Sequence, residues 1–286
     1  MPPALMQRVM VISSMVARGH VGLSAIVPVL HGFACETVSL PTVLLSNHPG
    51  HARAAGQPVP VKQLEEMVEA LDGNGWLRDV DAVLTGYFPT AAHVAFAASA
   101  VRQVQARNAR VHVCCDPVLG DDPAGLYVPE QVAAAVQSQL LPLSRSITPN
   151  RFELEWLSGQ PVQSPSDAVT AARALGLPLA LVTSVPASPG ELCNVAVTAS
   201  EAWTTSAPLR QGVPHGTGDA LSAAFLAAQL SGLPVPESLA TAAGSIEAIV
   251  AASLGRDELQ LATSRAAWSA PAIAPVVRLE GVSGKA

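Results

Sequence analysis

Short runs of β-branched residues alternate with Ala-rich helical stretches along this chain of 286 residues, and this alternation constrains the fold more than any other feature. Buried parallel strands consist of nearly continuous apolar runs, whereas amphipathic helices repeat every 3.6 residues. Predicted strands are 8–13, 82–86, 110–116, 145–149 and 179–184, with a hairpin over 195–203. Predicted helices are 61–71, 91–107, 129–141, 166–175, 218–231 and 236–253. The alternation predicts an α/β fold with a mostly parallel central sheet and helices on both faces.

The sequence contains neither an internal repeat nor a linker that would divide it, so we expect one domain over residues 1–286. The stretch 40–60 is rich in Pro, Gly and His, which predicts an excursion from the sheet that folds over a ligand. The tail 263–286 carries Ser, Pro and Gly and is expected to be peripheral.

The composition argues against several classes of partner. With 16 basic and 22 acidic residues the net charge is −6, which disfavours nucleic acid and anionic membranes as partners. The four cysteines form no C-x-x-C pair and are interpreted as reduced thiols, which is typical of a cytoplasmic protein. Because no apolar run reaches the ~20 residues that span a bilayer, a soluble protein is expected.

The stretch "HGTGDALSAAFLA" (215–227) places two glycines and an aspartate at the start of an apolar helix. One interpretation is helix capping, in which Thr217 or Asp219 accepts hydrogen bonds from the first-turn amides. The other is an anion site, in which Gly216, Thr217 and Gly218 present bare amides to phosphate oxygens. A carboxylate would repel such a phosphate unless it took part in the chemistry, and this stretch alone leaves both interpretations open.

Polar residues follow several predicted strands, and ligands in such sheets bind beyond the carboxyl ends of the strands. Four carboxylates, those of Asp116, Asp121, Glu153 and Asp219, are placed to reach one crevice. Several acids with few basic neighbours favour Mg²⁺, which takes a few carboxylates together with phosphate oxygens. The alternative for Asp116 and Glu153 is a helix cap or a loop turn. The sequence contains no G-x-x-x-x-G-K-[ST], no G-x-S-x-G and no H-E-x-x-H, so competing phosphate, hydrolase and zinc sites are not indicated.

Taken together, the motifs resemble the ribokinase-like superfamily and, within it, the pyridoxal kinase branch, over about residues 8–255. The matching stretches are "SSMVARGHVG" (13–22), "LLSNHPGH" (44–51), "VLTGY" (83–87), "CDPVLGD" (115–121), "LYVPEQV" (126–132), "ITPNRFELEWLSG" (147–159), "VTS" (182–184) and "GTGD" (216–219). The resemblance implies a ribokinase-like domain with a small flap over the substrate site. It implies ATP-dependent phosphorylation of the 5′-hydroxymethyl group of pyridoxal, or of pyridoxine or pyridoxamine, in vitamin B6 salvage.

The resemblance also assigns roles to residues. Asp219 is implied to be the general base, with Gly216, Thr217 and Gly218 as the anion hole. The substrate contacts it implies are Ser14, Val21, Leu45, Pro49, Gly50, Tyr87 and His215, together with Asp219. The nucleotide contacts are Asp116, Tyr127, Thr148, Asn150, Glu153, Thr183, Ser184 and Ala207, Pro208, Leu209 and Arg210. The Mg²⁺ site is Asp116, Asp121 and Glu153. ATP and Mg²⁺, with a monovalent cation as an option, are the implied cofactors, and a homodimer is the implied assembly.

Three positions depart from the pyridoxal kinase pattern. Leu23 stands where Asn usually follows "GHVG", and Pro49 replaces a flap threonine, so that a side-chain hydrogen bond to substrate is lost. His215 precedes "GTGD", where an apolar residue is common, and resembles the hydroxymethylpyrimidine kinases, which have Cys in place of Asp219. We expect His215 either to replace the lost flap contact or simply to pack against the loop. The alternatives to a pyridoxal kinase are a kinase for another hydroxymethyl heterocycle and a non-catalytic pyridoxal phosphate binding protein.

Overall fold

The architecture is a ten-stranded sheet with helices on both faces, seen in a computed structural model that describes residues 6–280. The strands are β1 Arg8–Val16, β2 Glu36–Leu45, β3 Gly56–Pro58, β4 Ala82–Thr85, β5 His112–Cys115, β6 Gly120–Asp121, β7 Gly125–Leu126, β8 Ser146–Ile147, β9 Leu179–Pro186, β10 Glu191–Thr198, β11 Ala202–Pro208 and β12 Val277–Arg278. The helices are α1 Leu23–Gly32, α2 Val61–Gly73, α3 Ala91–Arg107, α4 Glu130–Ala135, α5 Arg151–Ser158, α6 Pro165–Ala174, α7 Thr217–Leu230, α8 Val235–Ser253 and α9 Arg265–Trp268.

The strand order is β12-β11-β10-β9-β8-β5-β4-β1-β2-β3, and β6 and β7 form a separate ribbon. The six central strands, from β9 to β2, run parallel. Antiparallel pairs extend the sheet at both edges, with β10, β11 and β12 on one side and β3 on the other. The predicted mostly parallel sheet is confirmed, and so is the hairpin, which is longer than expected.

Strand β1 shows why both faces need helices. Val9 and Val11 are fully buried against α1, α7, α8 and α9, whereas Met10 and Ile12 are fully buried in the core formed with α2 to α6. Because successive side chains of a strand point to opposite faces, a continuous apolar run is buried only between two helical layers.

Helix α1 and strand β2 are among the elements absent from the sequence-based expectations. Helix α1 contains Pro28, and β2 contains Pro41, residues that disfavour a helix interior and a central strand. Pairing of β2 with β1 along almost its whole length outweighs this local preference. The excursion expected over 40–60 is therefore wrong for residues up to Leu45, which belong to β2, and only 46–55 form an irregular loop before β3.

The tail expected to be peripheral, 263–286, is described as far as residue 280, and this part packs against one end of the core. Trp268 is 1% exposed and its indole N–H donates to the Leu261 carbonyl at 2.8 Å. Strand β12 pairs with β11 at the edge of the sheet. Residues 281–286 lie outside the described residues. Within 6–280, no helix combines the length and the apolarity that crossing a bilayer requires.

Candidate active site

The polar residues that follow the central strands meet at one edge of the sheet. Backbone hydrogen bonds join neighbouring strand ends: Asp116 N–H donates to Thr85 at 2.9 Å, and Thr148 N–H to Cys115 at 3.0 Å. Further along the sheet, Thr183 N–H donates to Pro149 at 2.9 Å. The crevice therefore runs across β9, β8, β5, β4, β1 and β2, which is where ligands bind in open α/β sheets.

Helix α7 begins at this crevice with an uncapped first turn. Gly216 is its N-cap residue with φ +102°, and a Cβ atom there would lie 1.8 Å from the His20 carbonyl oxygen. Only glycine fits this close approach and this left-handed conformation. No side chain of the described chain caps the helix, so capping by Thr217 or Asp219 is wrong, and the first-turn amides face the crevice without a side-chain partner.

Asp219 lies in the first turn of α7 and is half-buried. Burial raises the pKa of its carboxyl group to about 6, and a hydrogen bond from the Gly22 backbone N–H opposes part of this rise. A carboxylate with a pKa near neutrality is suited to accepting a proton from an alcohol. The glycine-rich loop 19–22 thus holds the carboxylate from one side while α7 holds it from the other.

Asp116 follows β5 and is almost fully buried opposite Asp219. The Ser222 hydroxyl, one turn beyond Asp219 on α7, donates to Asp116 Oδ2 at 2.9 Å and lies 2.9 Å from Thr148 Oγ1. Burial, followed by the charges of Glu153 and Asp219, raises the pKa of Asp116 well above its ordinary value. Three neighbouring carboxylates therefore repel one another at this point of the crevice.

Glu153 serves α5 as a structural group. Its Oε2 accepts from the Asn150 backbone N–H at 2.9 Å, while Asn150 Oδ1 accepts from the Glu153 backbone N–H at 2.9 Å, which is a capping box. Its Oε1 accepts from the Leu119 backbone N–H at 2.8 Å. Burial raises its pKa to about 7. The helix-cap interpretation of Glu153 is therefore what the structure shows, and both carboxylate oxygens are engaged by backbone N–H groups.

The donor set limits how Mg²⁺ would be held. Among residues 6–280 no three His, Cys, Asp or Glu side chains converge as a metal cage. Magnesium ions at phosphoryl-transfer sites are commonly held by one or two carboxylates and by substrate phosphates, which this arrangement fits. Asp116 is the carboxylate suited to that role, because a cation beside it would relieve the repulsion from Asp219 and Glu153. Asp121 is exposed and its Oδ1 accepts from the Asp122 N–H at 2.8 Å, so it lies at the rim.

Residues expected to contact substrate gather where β1, β2 and β4 end. Ser14 is 8% exposed and packs so closely on Gly22 that a Cβ at Gly22 would lie 2.3 Å from Ser14 Oγ. Val21 is buried beside it, and the Tyr87 N–H donates to Ser13 Oγ at 3.2 Å. Burial raises the pKa of the half-buried Tyr87 phenol. The structure brings Ser14, Val21 and Tyr87 together on the Asp219 side of the crevice.

The loop 46–55, which we call the flap, joins β2 to β3 just beyond Leu45. Pro49 and Gly50 are exposed at its tip. The exposed His215 ring stacks on the His48 ring of the flap, with centroids 4.0 Å apart and planes 25° apart. His215 therefore packs against the flap loop, the second of the two interpretations offered for it.

Residues expected to contact nucleotide lie just after β8, in the second half of β9 and at the end of β11. Asn150 bridges to Thr183, and its side chain donates to the Gly120 carbonyl at 2.8 Å. Ser184 has φ +58° and, in the loop after β5, the β-branched Val118 has φ +43°. Such conformations cost energy and cluster at ligand sites. Strained backbone on both sides of Asn150 is therefore consistent with a binding role for this end of the crevice.

The remaining nucleotide candidates are less closely gathered. Burial, with the charges of Glu153, Asp116, Asp121 and Asp219 after it, raises the pKa of the Tyr127 phenol, although the residue as a whole is about half exposed. Ala207 and Pro208 end β11, and the exposed Leu209 follows them. Arg210 pairs with Glu247 of α8, so its guanidinium is held by a protein carboxylate.

Comparison with known proteins identifies the family to which the chain belongs. The model of the phosphomethylpyrimidine kinase family matches residues 19–262, which include the glycine-rich loop, the flap, the acidic residues and the start of α7. The chain belongs to this family. A pyridoxal kinase of Deinococcus radiodurans is 35% identical over 173 residues, which are 60% of this chain and 58% of that protein. The human pyridoxal kinase is 37% identical over 165 residues, 57% of this chain and 53% of the human protein. The aligned part of the chain thus spans less than two thirds of these curated relatives.

Solved structures of pyridoxal kinases are similar to this chain over almost its whole length. The pyridoxal kinase of Leishmania donovani in complex with ADP and pyridoxamine has a TM-score of 0.90 at 27% identity, over 96% of this chain and 99% of that one. A pyridoxal kinase from Entamoeba histolytica has a TM-score of 0.88 at 25% identity, over 96% of this chain and the whole of the other. The single-domain α/β fold of this family member is therefore shown.

Sequence reasoning missed four contributors to the site. Ser222 had a detectable signal, because it is a polar residue one helical turn beyond Asp219 in an apolar helix. Gly22 and His48 lay within quoted motifs without being given a role. Glu258 had no signal at all: it lies beyond α8 and reaches the flap only through the fold, where its Oε1 lies 3.1 Å from His51 Nε2.

Proposed function

We propose that the protein is an ATP-dependent kinase that phosphorylates the 5′-hydroxymethyl group of pyridoxal, pyridoxine or pyridoxamine in vitamin B6 salvage. The observation that carries this proposal is Asp219, a half-buried carboxylate with a pKa near 6 in the uncapped first turn of α7. The curated pyridoxal kinases at 35% and 37% identity and the Leishmania donovani complex with ADP and pyridoxamine support it.

In the proposed reaction Asp219 accepts the proton of the substrate's primary hydroxyl group. The alcohol oxygen forms a bond to the γ-phosphorus of ATP as the bond from that phosphorus to the β,γ-bridging oxygen breaks, and ADP leaves. A primary alcohol is a weak nucleophile, so a positioned base contributes about 10²–10⁴-fold to the rate. The pKa of Asp219 leaves it mostly ionised at neutral pH and still basic enough to take the proton.

The amides of Gly216, Thr217 and Gly218 are proposed to receive the negative charge of the transferring phosphoryl group. Uncapped first-turn amides carry the positive end of the helix dipole and need no reorganisation during the reaction. When bound, Mg²⁺ would neutralise phosphate charge, with Asp116 as its protein carboxylate. Asp121 would lie at the rim of the Mg²⁺ site, and Glu153 would support the loop that contains Leu119. Neither is then proposed as a direct Mg²⁺ ligand, which revises their expected role.

The crevice divides into two halves around Asp219 and Asp116. We propose that Ser14, Val21, Tyr87 and the flap residues Pro49 and Gly50, with Leu45, receive the pyridine substrate. Nucleotide would occupy the other half, where Thr148, Asn150, Thr183, Ser184, Tyr127 and 207–210 lie. With Asp219 where the halves meet, the alcohol oxygen beside this base would face the γ-phosphorus directly, opposite the leaving bridging oxygen, which is the geometry that in-line transfer requires.

We also propose a cytoplasmic homodimer. All four cysteines are free and buried, as is usual in a reducing compartment. Met15 and Leu44 are neighbours in the β1–β2 register, and they are 44% and 48% exposed. Adjacent exposed apolar side chains of this size favour a subunit contact.

Steady-state consumption of ATP with each alcohol tests the proposed activity. Turnover with a B6 vitamer, and formation of its 5′-phosphate, is the expected result. Turnover with hydroxymethylpyrimidine alone would assign the protein to the other substrate class of its family. Tight binding of pyridoxal phosphate without turnover of any alcohol would indicate a binding protein.

A further inference from the structure

Beyond its base, where the Arg18 N–H donates to the Ser46 carbonyl at 2.9 Å, the flap is fastened to the rest of the molecule by histidines. Internally, Asn47 Nδ2 donates to the Arg53 carbonyl at 2.8 Å, and the Gly50 N–H donates to His48 Nδ1 at 3.1 Å. Externally, His48 stacks on His215, and His51 Nε2 lies 3.1 Å from Glu258 Oε1. The two external contacts tie the flap to the residue before Gly216 and to the segment after α8.

The stack lies directly beside the proposed anion hole. His215 immediately precedes Gly216, and a Cβ at Gly50 would lie 2.9 Å from His48 Nδ1 and 3.2 Å from His215 Nε2. The flap tip, the two rings and the start of α7 therefore share one packed contact. Since Gly50 has no side chain, its backbone comes close enough to His48 for the internal hydrogen bond.

The hydrogen bond from Gly50 fixes the protonation state of His48. An imidazole nitrogen that accepts from an N–H carries no proton, so His48 in this arrangement is the neutral ring with its proton on Nε2. The groups that face His48 are His215, His51 and Glu258. Burial, then the charges of His215 and His51, lowers the pKa of His48, and Glu258 opposes them. Two protonated rings 4.0 Å apart would repel each other.

We propose that His48 and His215 are positioning residues, whose stacked neutral rings hold the flap closed over the substrate half of the crevice and release it when they become protonated. The expected effect on the KM for pyridoxal rests on the proposed function. The closed flap itself does not, because its contacts are made without substrate. Pro49 lacks the side-chain hydroxyl by which a threonine at this position would bind substrate. The stack of His48 on His215 holds the flap in place without that contact. The His51–Glu258 contact is a second fastening of the flap that does not involve the stack.

Amide hydrogen exchange of the ligand-free protein tests the closed flap directly. Exchange of residues 46–55, corrected for intrinsic rates, is compared at about pH 4.5 and about pH 7.5, because the lowered pKa of His48 requires a pH well below the ordinary histidine value for protonation. We expect several-fold weaker protection at the lower pH in the unmodified chain. His215→Phe keeps a stacking ring that cannot be charged and should remain protected at both pH values, whereas His215→Ala should be weakly protected at both.

His31→Ala is the matched control, because it removes another exposed histidine, hydrogen bonded to Thr37 at the opposite end of β2. Its flap should exchange as in the unmodified chain. Unchanged flap protection in His215→Ala at both pH values would overturn the proposal. If exchange behaves as expected but no vitamer is phosphorylated, the proposed function fails and the flap contact stands.

A kinetic measurement extends the test to substrate. The KM for pyridoxal should rise several-fold between neutral and acid pH in the unmodified chain and rise less in His215→Phe, with kcat at saturating pyridoxal following one common pH profile in both. A KM that changes equally with pH in both proteins would contradict the role of the stack.

Discussion

At the scale of single residues, the site depends on a carboxylate in a place where helix capping would be the ordinary role. Asp219 occupies the first turn of α7 but accepts its hydrogen bond from the Gly22 backbone N–H, on a loop almost two hundred residues away in sequence. The first-turn amides of α7 are left for another partner. A side chain that could cap its own helix and instead binds elsewhere is better explained by chemistry than by stability.

Replacement of the base tests this explanation. Asp219→Asn should lower kcat by about 10²–10⁴-fold, the usual contribution of a positioned acid–base group. ATP affinity should be nearly unchanged, because the carboxylate faces the alcohol. Turnover close to that of the unmodified chain would show that Asp219 has only a structural role.

The same substitution should stabilise the ligand-free protein at neutral pH. The folded-state pKa of Asp219 is about 6, above its ordinary value of 3.8. The raised pKa therefore contributes fully to the free energy of unfolding below pH 3.8, and this contribution is lost as pH rises through about 6. Asn carries no charge to bury, and the gain above the higher pKa is up to about 3 kcal/mol. Thermal unfolding should show a higher Tm for Asp219→Asn than for the unmodified chain near neutrality, with the difference shrinking as pH falls from about 6 towards 3.8. A difference that is constant with pH would mean that this carboxyl has no raised pKa.

The rate should also depend on pH through this group. An ionised Asp219 is needed to accept a proton, so kcat should rise with pH and level off above a midpoint near 6. Asp219→Asn should lack this step in its residual activity. A midpoint near the ordinary aspartate value would indicate that substrate binding returns the carboxyl to a solvent-like environment.

At the scale of elements, α7 joins the two acidic centres of the crevice. It carries Asp219 in its first turn and, one turn later, Ser222, whose hydroxyl donates to Asp116 at the end of β5. The base and the acid proposed to hold Mg²⁺ are therefore set relative to each other by one rigid helix turn, at a spacing that loops alone would not maintain.

Removal of the Ser222 hydroxyl should disturb that spacing. Hydrogen bonds to charged groups contribute about 1.5–3 kcal/mol, so Ser222→Ala should lower kcat by roughly ten- to a hundred-fold and raise the Mg²⁺ concentration needed for half-maximal rate. The KM for pyridoxal should stay within about twofold, since the substrate half is untouched. Ser245→Ala is the control, because Ser245 of α8 is similarly buried and donates to the Trp268 carbonyl of α9, away from the crevice. If both variants changed kinetics alike, Ser222 would be acting through general stability.

The limits of prediction also follow from particular elements. Strands such as β4 and β5 were predictable, because a strand buried on both faces leaves an apolar run in the sequence. Helix α1 and strand β2 were not, because Pro28 and Pro41 argue against them locally and contacts with distant residues decide them. In the site, Asp116 and Asp219 were predictable from strand ends and a glycine turn. The capping role of Glu153 and the reach of Glu258 depend on side-chain directions that no local pattern encodes.

At the scale of the whole molecule, the sheet leaves one side of the β1–β2 pair uncovered. Met15 and Leu44 are about half exposed, whereas most of the large apolar side chains of β1 and its neighbours are buried between the two helical layers. The proposed homodimer would cover them.

Leu44→Asp should therefore weaken self-association. A charge placed in an apolar contact loses its hydration, so the dissociation constant measured by sedimentation should rise by at least about tenfold. Ile273→Asp changes a residue that is 68% exposed near the other edge of the sheet and should leave association unchanged. A protein that sediments as a monomer before any substitution would remove the dimer from the proposal.

The order of strands across the crevice has a consequence for how such a protein can diverge. The half proposed for the vitamin is built mainly from β1, β2 and β4, all within the first 85 residues, whereas the half proposed for nucleotide comes from Tyr127 and from β8 onwards. Mutations that remodel recognition of the heterocycle thus fall in one end of the gene, and those that affect phosphate handling fall in the other. A lineage with this layout can explore new alcohols by recombination near the middle of the sequence while inheriting a working phosphoryl donor site intact.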